Sequence, residues 1–403
     1  MGSLDDERGC PQRARLERRL NLAAVAVSRM QAVRMAVRLT FVATVALTLT
    51  CGVLAGLARF GLPVPQHALS SAQWHGVLML PVFFGAVVSL ERAVALGGGS
   101  HLCAPVAVAL AGIALLAGLP TVLPQILLLT GATLALVSAL RLLHRRIELH
   151  LSVLALGVIS WWFGDLIWLV RDAPLDAVPF WIAFLVSTIA AERLELTRLR
   201  PKQPRARLVF VLIVVAMLAS LVAALRAPDV ALRVFAACLL ALAAWLARYD
   251  IARVTIRQRG LTRFIAVCLL SGYCWLAASG LLGISGAWSV GHSLHDAALH
   301  ALTLGFVVSM AMGHAPIVLP AVARLRVRYN PAFYLPLVAL HATLALRIVG
   351  SLAQAFDMRR AGAIGNAASL ALFVLVMAAA AWNARRDAGL RSPRPGGGER
   401  RKP

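Results

Sequence analysis

Charged residues are scarce in this sequence, and acidic residues are the scarcest. The 403 residues include 17 Asp and Glu against 40 Lys and Arg, and 14% of the chain is charged. A soluble domain of this length needs a larger polar surface, so the composition excludes one. The six cysteines form no CxxC pair, which excludes a thiol redox pair of that type. The sequence also has no phosphate-loop motif and no serine or cysteine nucleophile arrangement.

Long apolar runs make up most of the chain instead. Hydrophobic residues account for 60% of it, and its mean hydropathy is +0.80. Runs of about 20 residues, enough to cross about 30 Å of hydrocarbon, recur throughout. We predict an all-α polytopic membrane protein with twelve spans, at residues 37–58, 73–95, 102–119, 122–143, 149–170, 174–191, 207–225, 230–248, 263–283, 294–320, 334–353 and 362–384.

Basic segments flank this transmembrane domain of residues 37–384. Residues 1–36 carry clustered arginines and an apolar patch too short to span, without the pattern of a signal peptide. They predict a basic cytoplasmic tail that lies on anionic lipid. Residues 385–403 are basic and rich in Gly and Pro, and they predict a disordered tail.

The basic residues behind the net charge of +23 lie mainly on one side of the membrane in the predicted topology. With twelve spans, 33 of the 40 Lys and Arg fall on the side of both termini, six fall on the opposite side, and Arg347 falls inside span eleven. This asymmetry predicts a multi-pass protein with both termini in the cytoplasm. It also explains the positive charge without a nucleic-acid partner, and leaves the lipid bilayer as the expected surroundings.

Short segments of the chain resemble one another. Span one resembles span nine at FVATVALTLTC and FIAVCLLSGYC, and span two resembles span ten at GAVVSL and GFVVSM. Spans five and six form a weaker third copy, in which Glu192-Arg193 matches Glu91-Arg92. These matches suggest a threefold repeat of four-helix units, although apolar helices also resemble one another by chance.

Histidines inside the spans are the candidate functional residues, because ionisable side chains in a bilayer are costly and tend to face a cavity or a cofactor. Their depths sort them into an outer set, His75, His295 and His300, and an inner pair, His314 and His341. His300 and His314 share a helix face about 21 Å apart along the axis, whereas His295 and His300 lie about 140° apart.

Imidazole from two helices suits haem iron or copper. The outer set therefore predicts a metal or haem site, with Met79 either a soft ligand or a packing residue. His341 taken alone is as typical of a hydrogen bond between helices, and His292 is equally compatible with a loop role. Arg347 is placed to meet a haem propionate, and its anionic partner is either Asp165 or Asp296. Asp296 is also suited to orient a ligating histidine.

The pattern HxxxxHALTLGFVxxMxxGH in span ten and Trp74-His75 at the start of span two resemble the NnrS family, and more distantly the catalytic subunit of haem–copper oxidases and nitric oxide reductases. The resemblance implies His75 with His295 or His300 as axial ligands, bound haem b and copper, a bacterial cytoplasmic membrane, and a role in nitric oxide stress. Spans six and seven contain no histidine, so an oxygen-reducing centre of the oxidase type is not expected.

Three hypotheses follow. The first is a haem-binding, oxidoreductase-like membrane protein of nitric oxide or respiratory metabolism, with nitric oxide, quinol or a redox protein as partner. The second is a di-haem electron-transfer protein, with an outer haem at His75 and His300 and an inner haem at His314 and His341. The third is a transporter without a cofactor, in which the histidines and Arg347 line the path and the helices are broken by prolines.

Overall fold

A computed structural model describes residues 41–197, 204–323 and 327–390, with side-chain detail for all but 321–323 and 387–390 of these. The described part of the chain is helical and contains no strand, which confirms the all-α prediction. The predicted N-terminal tail, residues 1–36, lies outside the described residues.

Within the described residues, twelve helices are long and apolar enough to span a membrane, as predicted. In chain order they are α1 Phe41–Ala58, α2 Ala72–Ala95, α3 Gly99–Leu116, α4 Val122–Arg145, α5 Leu149–Arg171, α6 Pro174–Leu196, α7 Pro204–Ala224, α8 Pro228–Tyr249, α9 Gly260–Ala287, α10 His295–Pro320, α11 Pro331–Leu352 and α12 Phe356–Arg386. The chain is therefore a multi-pass membrane protein.

The last helix extends beyond its predicted end at residue 384. It is continuous from Phe356 to Leu390, so residues 385–390 continue the helix. Alanine and arginine favour helix, which explains why the helix does not stop where the apolar pattern does. The rest of the predicted C-terminal tail lies outside the described residues.

Helices α2, α6 and α10 contact one another and are among the four most buried spans of the described residues, and we call them the central helices. Sequence neighbours pack against each other as antiparallel pairs, for example α5 with α6 and α11 with α12. These three central helices hold equivalent positions in the proposed four-helix units. The repeat itself stays a prediction.

Both α2 and α10 change helical form just after their histidines. A π-helical segment runs from Leu78 to Phe84 in α2 and contains Pro81, and another runs from Ala301 to Val308 in α10. A wider turn changes the direction in which later side chains point, and such segments are frequent at functional sites. We call the end of the bundle that holds His75 and His300 the outer end, and the opposite end, which holds Glu91 and His314, the inner end.

Candidate functional site

A cavity of about 410 Å³ lies at the outer end of the bundle. It is lined by all three histidines of the predicted outer set and by Arg347, together with Met79. Side chains from α2 and α10 meet there because these central helices contact each other through the bundle axis. The volume falls within the range of about 300–1,000 Å³ that is usual for small-molecule sites.

His75 is held by α1. Its Nδ1 lies 2.7 Å from the carbonyl oxygen of Gly52, and because a carbonyl can only accept, Nδ1 carries the proton. Gly56, one turn further along α1, leaves space for the His75 ring, because a Cβ added to Gly56 would lie 2.7 Å from His75 Cε1. The free lone pair of His75 is therefore on Nε2.

His300 lies opposite His75. The two ring centroids are 6.2 Å apart and the ring planes differ by 15°. His300 Nδ1 donates to the backbone oxygen of Asp296 at 2.9 Å and lies 3.2 Å from its carboxylate Oδ1. Like His75, His300 therefore keeps a free lone pair on Nε2.

His295 has the same tautomer but a different place in the site. Its Nδ1 donates to the carbonyl oxygen of Ala287 at the end of α9, at 3.0 Å. His75, His295 and His300 do not bring three ligand atoms within 4.8 Å of one another. In the described residues, a different trio of side chains does so. The outer set is thus an opposed pair, His75 and His300, with His295 on the same cavity wall.

Arg347 pairs with Asp296 and not with Asp165. Its Nε and Nη2 donate to the two carboxylate oxygens of Asp296, at 2.8 and 2.6 Å. The arginine is buried and also lies over the ring of Phe60, at 5.1 Å from the centroid. Asp165 instead accepts from Trp181 Nε1 at 2.9 Å, deep in the bundle. Asp296 therefore joins the buried arginine to the histidine His300.

Two further arginines line the outer cavity. Arg59 follows α1 and Arg359 lies in the first turn of α12. The Nε of Arg359 is buried without a hydrogen-bond partner among the described residues. The two guanidinium groups give this wall of the cavity a positive charge.

The predicted inner pair is not arranged as a pair. His314 Nε2 lies 3.2 Å from Glu91 Oε1 of α2. His341 faces α9, where its Nδ1 accepts from Trp275 Nε1 at 2.9 Å and its Nε2 donates to Ser271 Oγ at 3.0 Å. Both ring nitrogens of His341 are thus used by hydrogen bonds between helices. His292 has a loop role, since its Nδ1 accepts from the Leu294 N–H at 3.1 Å.

Glu91 and Glu192 are site residues to which the sequence analysis gave no role. They approach His314 to form the trio whose ligand atoms all lie within 4.8 Å of one another. Arg92 lies beside them and pairs with Glu192 at 2.5 Å. The signal for these residues in the sequence is the Glu-Arg pair at the same end of spans two and six.

A protein-family model described as a domain of unknown function, DUF8744, matches residues 38–382. No curated protein matches the chain.

Proposed function

The chain belongs to the family of the domain of unknown function DUF8744, and we propose that this member binds haem b in its outer cavity, with His75 and His300 as the axial ligands. The proposal includes a role in nitric oxide or respiratory metabolism, of the kind that the NnrS resemblance implies. It also places the protein in a bacterial cytoplasmic membrane with both termini in the cytoplasm, since the basic residues are concentrated on that side.

The opposed histidine pair is the observation that carries the proposal. With metal–nitrogen bonds of about 2.0–2.1 Å, imidazoles on opposite sides of one metal ion have centroids about 6.3 Å apart. The centroid separation of 6.2 Å is close to this value and the ring planes are nearly parallel, and we propose that both Nε2 atoms point at one iron in the haem-bound protein. Both rings are oriented by a hydrogen bond from Nδ1, which leaves Nε2 available on each side.

Other residues of the cavity suit the rest of a haem. Arg59 and Arg359 line the cavity and supply positive charge for propionates. Asp296, fixed by Arg347, holds the His300 ring in the required orientation. Apolar side chains such as Leu80 and Val178 form the remaining wall, which suits the faces of the porphyrin.

Bound haem supplies one-electron chemistry at the iron. If His75 and His300 both hold the iron, the haem would suit electron transfer more than binding of a gas. Quinol or a redox protein is then the expected electron donor. The NnrS resemblance implies copper as a second cofactor. His295 is the histidine of the outer cavity that remains as a copper ligand when His75 and His300 hold the haem.

A transporter without a cofactor is the second candidate. It is favoured by the π-helical segments in both α2 and α10 and by Pro81, because interrupted helices are typical of transporter binding sites. The di-haem alternative has less support, since His314 and His341 face different helices.

Haem content tests the proposal. The detergent-purified protein, from cells supplied with haem and copper, is assayed by reduced and oxidised optical spectra and by pyridine haemochrome. We expect one haem per chain, lost or weakened in His75→Ala and His300→Ala and retained in His341→Ala. A colourless protein would overturn the haem proposal and favour the transporter, and two haems, one of them lost in His341→Ala, would favour the di-haem alternative.

A further inference from the structure

A second cluster of ligand-type side chains lies at the inner end, at the opposite end of α2 and α10 from the histidine cavity. Glu91 comes from α2, Glu192 from α6 and His314 from α10, so each of the three central helices contributes one residue. Their ligand atoms all lie within 4.8 Å of one another. All three side chains are partly buried, with 27%, 23% and 36% of their surfaces exposed.

Two carboxylates this close repel each other unless cations lie between them. Arg92 supplies one cation, at 2.5 Å from Glu192 Oε1. Glu91 faces His314, and an imidazole nitrogen serves a carboxylate either as a proton donor or as a fellow ligand of a metal ion. Arg193 also acts on Glu192 and His314, so the cluster combines three ligand-type side chains with two guanidinium groups that balance the carboxylates.

We propose that Glu91, Glu192 and His314 bind one divalent transition-metal ion, with Zn²⁺ as the best fit. One imidazole nitrogen and two carboxylate oxygens form a ligand set that Zn²⁺ uses, with a fourth position for water. The absence of sulfur from this trio disfavours Cu(I), and the imidazole disfavours Mg²⁺ and Ca²⁺. The site is independent of haem binding at the outer cavity.

The distances fit this assignment. In a tetrahedral Zn²⁺ site with bonds of about 2.0–2.1 Å, neighbouring ligand atoms are about 3.3–3.4 Å apart. His314 Nε2 and Glu91 Oε1 are already 3.2 Å apart. Glu192 needs only a side-chain adjustment to complete the site, and its second oxygen can stay with Arg92. Zn²⁺ takes the place of the proton on His314 Nε2, so binding releases that proton when the ring carries it there.

Metal at this position would join the inner ends of all three central helices. These helices contact one another along the axis but come from segments far apart in the sequence. A ligand that binds only the folded state stabilises it, so Zn²⁺ is expected to raise the unfolding temperature of the protein.

Zinc titration of the full chain in detergent, stripped with chelator and monitored by a competing zinc dye, tests the site. We expect one equivalent of tightly bound Zn²⁺ in the wild-type protein. Loss of a residue that hydrogen-bonds to a metal ligand weakens metal binding by about 10–100-fold. Loss of a ligand itself, in Glu91→Gln or His314→Gln, is therefore expected to weaken Zn²⁺ binding by at least as much. Glu195→Gln is the matched control, because it removes the same charge from the same end of α6. His300→Ala tests the outer cavity as an alternative location.

X-ray absorption of the zinc-loaded wild-type protein gives a readout that needs no variant. A shell of one nitrogen and several oxygens supports the site, whereas a shell of several histidines overturns it. The proposal is also overturned if the wild-type protein binds Zn²⁺ no more tightly than Glu91→Gln, or if Glu195→Gln or His300→Ala abolishes binding and Glu91→Gln does not. The haem spectrum of each variant, recorded in parallel, separates this result from the outcome for the outer cavity.

Discussion

At the scale of single residues, the outer cavity depends on hydrogen bonds that fix which nitrogen of each histidine carries the proton. His75 and His300 use Nδ1 for oxygen acceptors and leave Nε2 free, whereas His341 uses both nitrogens. An available lone pair, more than membrane depth, thus distinguishes the ligand candidates from a histidine that joins helices.

The ion pair of Arg347 with Asp296 is expected to stabilise the fold as well as orient His300. Arg347→Ala leaves Asp296 without its bidentate partner, and loss of one member of a buried pair costs about 3–5 kcal/mol. We expect the unfolding temperature in detergent to fall clearly. The double variant Asp296→Asn with Arg347→Met is expected to recover part of it. A single variant as stable as the wild-type protein would show that the pair is not formed.

Gly56 and Gly76 provide a matched pair of substitutions beside the same histidine. Gly56→Ala introduces a Cβ 2.7 Å from His75 Cε1 and is expected to displace the ring and cost about 1–3 kcal/mol. Gly76→Ala meets no atom within 4 Å and is expected to be neutral or to stabilise the helix by up to about 1 kcal/mol. Haem content and unfolding temperature are the two measurements, and equal behaviour of the two variants would contradict this account of α1.

At the scale of helices, the sequence predicted how deep each residue lies but not which neighbour it faces. The prediction that His300 and His314 share a face agrees with their contacts, since both meet residues of α2. Depth alone allowed Asp165 or Asp296 as the partner of Arg347, and it paired His314 with His341. The direction in which a side chain points around its helix depends on helix packing and on π-helical turns, and a periodicity of 3.6 residues contains neither. For the same reason, the approach of Glu192 to His314 could not be predicted.

His341 joins α9 to α11. His341→Ala removes its bonds to Trp275 and Ser271 and is expected to cost about 0.5–1.5 kcal/mol per hydrogen bond. The measurement is the unfolding temperature, with haem content as the control. Loss of haem without loss of stability would contradict this account and would indicate that His341 is a haem ligand.

At the scale of the whole molecule, twelve spans and their order could be predicted because bilayer thickness fixes the length of an apolar helix. The helical residues 385–390 were not predicted, since a helix can continue into water where no apolar pattern marks it. The central position of α2, α6 and α10 follows from contacts between distant segments, which a faint repeat indicates only weakly.

The proposed orientation is tested by cysteine labelling in a background whose native cysteines are replaced by alanine. Gln66 and Gln258 are exposed at opposite ends of the bundle. In intact spheroplasts, we expect a membrane-impermeant thiol reagent to modify Gln66→Cys and not Gln258→Cys, because the basic side faces the cytoplasm. The reverse pattern would place the histidine cavity at the cytoplasmic surface.

Electron paramagnetic resonance of the oxidised, purified protein tests most directly whether His75 and His300 share one iron. With both rings on the metal and their planes 15° apart, we predict a low-spin ferric signal of the rhombic type given by nearly parallel imidazoles. The same signal is expected in His341→Ala and lost in His300→Ala. A high-spin signal in the wild-type protein, or no iron signal at all, would contradict the account.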